Sequence, residues 1–361
     1  MNRLTDMTTF LQLIQIAMGL REPSLERPLS RNEWQEIYAV AKKQAVLGIL
    51  SPLAVLLPRE QLVLGVESYL LLYAEKVRAK NEEMAGYAAE ITRSFDELGL
   101  RTCILKGQGV ARLYPDPGIR QSGDIDIWAE GNIKDIIKTV SRKWKVVNVF
   151  YHHADISPLG RKCSVELHFC PTWMNNPFSN RRLQKYFRTQ SERQFSNRSA
   201  ESGFSSTTLA FDCCYSAIHI YRHLLFEGVG LRQLMDYYYI LKNSSESDRK
   251  EAAALLDSLK MNRFVRALMY ALRYFFRLEE QFFLCEPDPE YGEFFISEVM
   301  ISGNFGTYDS RFTIKPADGL LKKFMIRIRR LDHYRKIAPS EVFWAPFFKV
   351  WQFFWKKFNN W

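Results

Sequence analysis

The residues of this chain best suited to chemistry are two aspartates, Asp124 and Asp126, in the segment GDIDIW. Side chains of a strand alternate between its two faces, so the aspartates share one face while Ile125 and Ile127 take the other. Two carboxylates on one face are costly to keep ionised unless a cation lies between them. Oxygen ligands suit Mg²⁺ or Mn²⁺, so the pair predicts a metal site. An isolated Asp-X-Asp usually lies in a solvated loop, but the apolar strand around this one favours metal binding.

A third carboxylate, Glu166, lies in the alternating stretch CSVELHF, residues 163–169. Ser164, Glu166 and His168 face one way there, and the apolar residues face the other. Three carboxylates on neighbouring strands are typical of two-metal phosphoryl chemistry, in which the metals hold the attacking and leaving oxygens. We therefore predict Glu166 as the third metal ligand, and as a candidate base for an acceptor hydroxyl. The alternative is an exposed strand position without chemistry.

A glycine-rich turn precedes the aspartates and has the composition of a phosphate-binding segment. Lys106, Gly107, Gln108 and Gly109 offer backbone N–H groups and one ammonium at a predicted helix start, which suits a triphosphate. The spacing is not that of a P-loop, because no Gly-Lys-Ser/Thr ends the turn. Arg120, just before the aspartates, can neutralise phosphate charge.

These motifs together resemble the uncharacterised bacterial nucleotidyltransferase family of the DNA polymerase beta-like superfamily. The resemblance rests on Leu105-Lys106-Gly107, Tyr114-Pro115, Arg120, Asp124-Ile125-Asp126 and Glu166-Leu167-His168. Weaker helical matches lie at 34–50 and at His219, His223, Arg232 and Asp236. The family resemblance implies Mg²⁺-dependent (or Mn²⁺-dependent) transfer of a nucleoside monophosphate from an NTP to an acceptor, with release of pyrophosphate. It places Asp124, Asp126 and Glu166 on the metal, and Lys106, Gly107, Arg120, Ser122 and Gly123 around the triphosphate.

The elements that must position these residues change in character along the chain. Helical periodicity dominates residues 1–98, with a long helix predicted over 67–98 and Gly99 at its C-cap. Residues 99–206 read as the α/β core, including a stretch at 171–206 predicted as loop with some helix. Helices resume over 207–300, and residues 301–361 form a basic, aromatic tail. The predicted fold class is α+β: a small mixed-sheet nucleotidyltransferase core flanked by N- and C-terminal helical segments.

Several helical residues have two interpretations. His219 and His223, four residues apart on one helix face, can bind a metal, but packing or hydrogen bonding between helices is the more common role. Arg232 and Asp236 have the spacing of an intrahelical ion pair, with contact between Arg232 and phosphates as the alternative. Trp128 suits core packing better than stacking on a base.

The net charge of the 361-residue chain is +10, which favours anionic partners. The six cysteines form no metal-binding pattern, and we find neither a signal peptide nor an 18-residue apolar run, so we expect a cytoplasmic protein. Residues 320–361 combine basic and aromatic side chains at near-helical spacing. They predict peripheral contact with an anionic membrane at its inner face or, alternatively, a helix docked on the core. Nucleic-acid binding stays open, although no recognition module is evident.

Two other functions are compatible with the motifs. A glycosyltransferase also uses an Asp-X-Asp pair to hold a metal and a nucleotide-sugar, but the chain lacks a nucleotide-binding strand-helix series before the pair. A non-catalytic protein that binds a membrane or a partner, with a relic site, is the second alternative.

Overall fold

The computed structural model describes residues 3–157, 164–315 and 317–359. The N-terminal region is helical, as the periodicity predicts. It comprises α1 (Arg3–Ala17), α2 (Arg31–Lys43), α3 (Leu53–Leu56) and the long α4 (Val66–Glu97). Ser30 and Glu33 form a capping box at the start of α2, and Gly99, at φ +74°, follows the end of α4.

A five-stranded mixed sheet follows, and its strand order is β1-β2-β5-β4-β3. The strands are β1 (Thr102–Leu105), β2 (Ile125–Ala129), β3 (Lys145–Val147), β4 (His153–Ser157) and β5 (Val165–His168), with α5 (Gln108–Ala111) and α6 (Ile133–Val140) between them. Strand β2 runs antiparallel to β1 and parallel to β5. The sheet confirms the predicted α+β class. Cys163 lies outside the described residues.

Helices surround this sheet on the C-terminal side. They are α7 (Pro177–Phe195), α8 (Leu209–Phe226), α9 (Leu231–Asn243), α10 (Glu246–Ser258), α11 (Asn262–Phe276), α12 (Pro289–Ser302), α13 (Leu320–His333) and α14 (Pro339–Asn359). The prediction of a loop with some helix over 171–206 missed the length of α7, which spans 19 residues. Most residues of α7 are polar, so the sequence did not reveal its apolar stripe, which includes the buried residues Leu183, Phe187 and Phe195.

The two faces of the sheet pack against different hydrophobic clusters. Ile125 and Ile127 belong to the cluster formed with the second half of α4 and with α6. Trp128, on the opposite face, packs against Phe187 and Phe211 of the helical cluster, so its predicted role in the core is confirmed. Asp126 therefore faces α8, inside the protein, and the fold buries its carboxylate. The division into four segments stays a prediction.

Candidate active site

The centre of the candidate site is a pair of carboxylates on adjacent parallel strands. Asp126 of β2 lies opposite Glu166 of β5, and one strand face therefore carries both. Oxygen atoms of these two residues and a ring nitrogen of His168 all lie within 4.8 Å of one another. Asp126 is 3% exposed. Asp124 immediately precedes β2 and lines the cavities on both sides of this pair. The structure thus brings the three predicted carboxylates to one place.

His168 is a site residue that the sequence prediction did not assign. Its Nε2 lies 3.0 Å from Asp126 Oδ1 and 3.4 Å from Glu166 Oε2. Burial opposes a charge on the imidazole, but these hydrogen bonds outweigh it and raise the pKa of His168 to about 9. Burial likewise opposes ionisation of Glu166, yet its hydrogen bond with His168 lowers the pKa of that carboxyl to about 2. The alternation of SVELHF places His168 on the same strand face as Glu166, and this could have predicted His168 as a site residue.

Lys106 supplies the cation nearest to these carboxylates. Its ammonium lies 3.0 Å from Asp126 Oδ2 and 3.0 Å from His219 Nε2. Burial would lower the pKa of Lys106, but the charges of Asp126, Asp124 and Glu166 prevail and raise it. The turn that delivers the side chain is unusual, since Lys106 and Gly107 both have positive φ, +45° and +46°. Glycine accommodates this backbone without strain from a Cβ atom.

A histidine chain continues from Lys106 along α8. His219 Nε2 is 2.6 Å from His223 Nε2, and His223 Nδ1 is 2.8 Å from Glu227. Burial, and next the charge of Lys106, lower the pKa of His219 well below its usual range, so its ring is neutral and its Nε2 can accept from Lys106. The two histidines form hydrogen bonds, as the more common interpretation held; His219 contacts the site lysine, and His223 links His219 to Glu227.

Two arginines line the inner side of the site, Arg120 from the loop before β2 and Arg232 from α9. Arg120 donates from Nε and Nη2 to the two carboxylate oxygens of Asp236, 2.7 Å each, and Tyr114 donates to the same residue. Arg232 donates to the backbone carbonyl of Gln121 instead of pairing with Asp236, so the predicted intrahelical ion pair is wrong. Each of the two residues instead contacts the loop before β2: Asp236 binds Arg120, and Arg232 binds the carbonyl of Gln121. Nη1 of Arg120 and Nε of Arg232 are buried and have no partner within the protein.

Two cavities meet at the carboxylates. The inner cleft contains Gly107 and Gly123 together with Arg120, Asp126 and Arg232. The outer cleft has a volume of about 410 Å³ and extends from Glu166 and His168 past Trp173 and Arg222 to Phe348 and Lys349. Lys106, Asp124, His219 and Phe305 line both. Asp124 therefore borders both clefts, whereas Asp126 borders the inner one and Glu166 the outer one.

Phe305 separates the two clefts and was not predicted from the sequence. It has φ +54°, which is uncommon for an aromatic residue. The loop that carries it is locked against the α8–α9 connection, since a Cβ atom on Gly306 would meet the carbonyl oxygen of Glu227 at 1.8 Å. The Phe305 ring contacts His223 and Arg232. Only the tertiary structure reveals this position.

Ser122 does not line either cleft. Its hydroxyl lies 2.5 Å from Asn81 Oδ1 on α4, where it helps to hold the loop before β2. Asn81 also donates to the backbone carbonyls of Gly118 and Arg120. Ser122 therefore supports this loop, and its predicted contact with a triphosphate stays a prediction.

A second group of ligand atoms lies beside the first. His153 and Asp155 of β4, a strand that the sequence reading missed, lie next to Glu166 and join it in a second cluster that could hold a metal. Strand β4 escaped notice because its sequence, HADIS, is short and polar. Glu166 is common to both groups, which makes it the central ligand candidate of the sheet.

The comparisons with known proteins identify the family of the chain. A model of a family of uncharacterised nucleotidyltransferases matches residues 30–277, and the chain belongs to this family. One similar solved structure is that of an antigenic nucleotidyltransferase-like protein from Paracoccidioides brasiliensis. It is 15% identical, covers 50% of this chain and 93% of its own, and superposes with a TM-score of 0.29. No curated protein sequence matches the chain. The family confirms the resemblance found in the motifs.

Proposed function

We propose that this protein transfers a nucleoside monophosphate from an NTP to an acceptor hydroxyl. The acceptor oxygen bonds to the α-phosphorus, the bond to the pyrophosphate oxygen breaks, and the hydroxyl proton passes to a base. The observation that carries the proposal is the pairing of Asp126 with Glu166 beside Lys106, at the junction of two clefts. Two clefts that meet at carboxylates suit a reaction that joins two substrates.

The inner cleft, which has a volume of about 40 Å³, is the proposed binding site for phosphate groups of the triphosphate. Lys106, Arg120 and Arg232 bring three cations to it, and two of them have buried N–H groups without a partner in the protein. Leaving such donors unpaired is costly, and a phosphate oxygen would satisfy them. Gly123 leaves room for the Arg232 guanidinium, whose Nη1 is 3.4 Å from where a Cβ atom would stand. The predicted binding residues Lys106, Gly107, Gly123 and Arg120 are retained in this proposal, and Arg232 joins them.

The donor set around Asp126 fits a divalent cation. Carboxylate oxygens of Asp126 and Glu166 would hold it, with a ring nitrogen of His168 close by, and carboxylate oxygens suit Mg²⁺ and Mn²⁺. Asp124, which lines both clefts, is the further carboxylate candidate. A metal there neutralises charge on the phosphates. In its absence, Lys106 and His168 balance the buried carboxylates. Because Glu166 is ionised over the neutral pH range, it suits metal binding better than proton transfer.

The outer cleft is the proposed site for the acceptor. Arg222 lies between the rings of Trp173 and Phe226, 3.8 and 4.2 Å from their centroids, and its Nε has no partner in the protein. Desolvation and neighbouring cations lower the pKa of Lys349, at the same end of the cleft, to about 8. Arg222 pairs with the buried Glu341 carboxylate at 3.4 Å, so Lys349 and the cations near it supply the positive charge that favours an acceptor with an anionic group. Phe305, Phe348 and Lys349 lie beyond the family match, so they are candidates for residues specific to this chain.

The test is the thermal stability of the protein with each NTP and with nucleotide-sugars, with and without Mg²⁺ or Mn²⁺. A ligand that binds only the folded state raises the melting temperature by mass action. We expect an NTP-dependent increase that requires the cation and is lost in Asp124→Asn. Asp116→Asn, a substitution at an exposed pair with Arg78, is the matched control and should keep the increase.

The outcome distinguishes the alternatives. An increase with nucleotide-sugars alone would favour the glycosyltransferase. No cation-dependent increase with any nucleotide would contradict catalysis and favour a relic site. If NTPs bind, release of pyrophosphate on addition of candidate acceptors then measures the reaction itself.

A further inference from the structure

Helix α13 exposes an apolar stripe along its length. Leu321, Phe324, Met325 and Ile328 are 75, 57, 56 and 41% exposed. Their spacing of three and four residues puts them on one face of the helix. The helix is nevertheless fixed to the protein, because Arg330 donates to the carbonyls of α8 at Leu224 and Leu225.

Helix α14 has two opposite faces with different roles. Its inner face is docked: Glu341 is fully buried and accepts hydrogen bonds from the backbone N–H groups of Asn175 and Asn176. Its outer face exposes a second apolar stripe, formed by Phe343, Phe347, Val350, Phe354 and Phe358, each 48–81% exposed. The sequence alternative of a docked helix therefore describes the inner face and leaves the outer face unexplained. Contiguous exposed apolar surface of this kind marks an interaction site.

The charge of the segment favours an anionic partner. Residues 320–361 contain ten Lys and Arg residues and two acidic residues, Asp332 and Glu341, so they carry eight of the ten net positive charges of the chain. A second copy of the same face would bring like charges together, which opposes self-association. A nucleic acid offers anions but no extended apolar phase for the aliphatic and aromatic side chains. An anionic lipid surface satisfies both the charge and the apolar stripes.

We propose that the outer faces of α13 and α14 dock on an anionic lipid bilayer as interfacial helices. A bilayer crossing would need a longer or more apolar helix than any the described residues form. The inner face of α14 contributes Phe348, Lys349 and Gln352 to the outer cleft. Docking thus places the proposed acceptor cleft near the bilayer surface, a consequence that rests on the proposed function. It points to an acceptor held at the membrane surface.

The experiment is flotation of the full chain with vesicles of phosphatidylcholine, with and without about 30% phosphatidylglycerol. We expect binding to the anionic vesicles only, and weaker binding when salt is raised from about 0.1 to about 0.5 M. Phe347→Ser combined with Phe354→Ser should weaken binding about tenfold or more, because two apolar side chains no longer enter the interface. Leu64→Ser combined with Leu72→Ser is the control, since both leucines are exposed elsewhere, 90 and 71%.

Three results would overturn the proposal: no binding to anionic vesicles, equal loss in the control variant, or a dimer in light scattering that the Phe347/Phe354 substitutions dissociate. Melting temperatures of the variants verify that each is folded. The increase in melting temperature that an NTP causes together with Mg²⁺ is measured on the variant with Phe347→Ser and Phe354→Ser. It should persist there, because neither phenylalanine lines a cleft, so failure of docking and failure of nucleotide binding can be distinguished.

Discussion

The ion pair between Arg120 and Asp236 gives the sharpest test of how the inner cleft is held together. The two side chains are 4 and 14% exposed, and both carboxylate oxygens are used. Substitution Asp236→Asn removes the negative charge while keeping the size. Burial and the nearby charge of Arg120 already lower the pKa of Arg232, so the variant leaves two buried arginines that repel each other.

Removing one partner of a buried pair costs about 3–5 kcal/mol. An unfolding entropy of about 0.8 kcal/mol/K for a chain of this length converts that loss to a drop in melting temperature of about 4–7 °C. Circular dichroism during heating and urea unfolding measure the two quantities. The matched control is Asp116→Asn, which breaks a similar pair with Arg78. Those side chains are 41 and 35% exposed, so solvent screens this pair and its loss should cost less than the loss of the buried pair.

A bound polyphosphate can replace the missing carboxylate as counterion to the arginines. Tripolyphosphate should therefore raise the melting temperature of Asp236→Asn more than that of the natural protein. If Asp236→Asn costs no more than Asp116→Asn, the pair is not a buried electrostatic support and the reasoning is refuted. If the stability falls but tripolyphosphate has no added effect, the arginines do not face a phosphate site.

Two further predictions concern other parts of the fold. Burial raises the pKa of Asp212 to about 7, so the folded state holds its proton more tightly, and stability should fall between about pH 4 and pH 7 by about 4 kcal/mol. Asp212→Asn should therefore be more stable than the natural protein at pH 8 and show a smaller difference between pH 5 and pH 8 in urea unfolding; an unchanged difference would contradict this. Gly306→Ala should cost at least about 3 kcal/mol, because its Cβ would overlap the Glu227 carbonyl at φ +63°, and should displace the neighbouring Phe305 ring. Gly65→Ala, at φ +91° with open space around it, is the control and should cost about 1 kcal/mol, so equal losses would show that crowding is not the cause.

Local patterns were sufficient for much of the site. Alternation in GDIDIW and in SVELHF put the carboxylates on one strand face each, because strand periodicity is a property of the backbone itself. The Lys106-Gly107 turn, the long α4 helix and the family were also evident before the structure. The roles of these residues in metal and phosphate binding stay predictions.

Other features depended on contacts between distant parts of the chain. The contacts of the site join residues that are far apart in the chain. Arg120 and Asp236 are 116 positions apart, and Lys106 and His219 are 113 positions apart. Lys349, in the last helix, lines the outer cleft with residues of the sheet. No local periodicity encodes which helix face meets which strand. The helical spacing of Arg232 and Asp236 predicted an ion pair, but it is equally compatible with the observed contacts of each residue to the loop before β2. The sequence by itself determined which residues could share a face; the packing of α8, α9 and α14 on the sheet decided which of them meet, because partner choice is set by burial and charge across the whole fold.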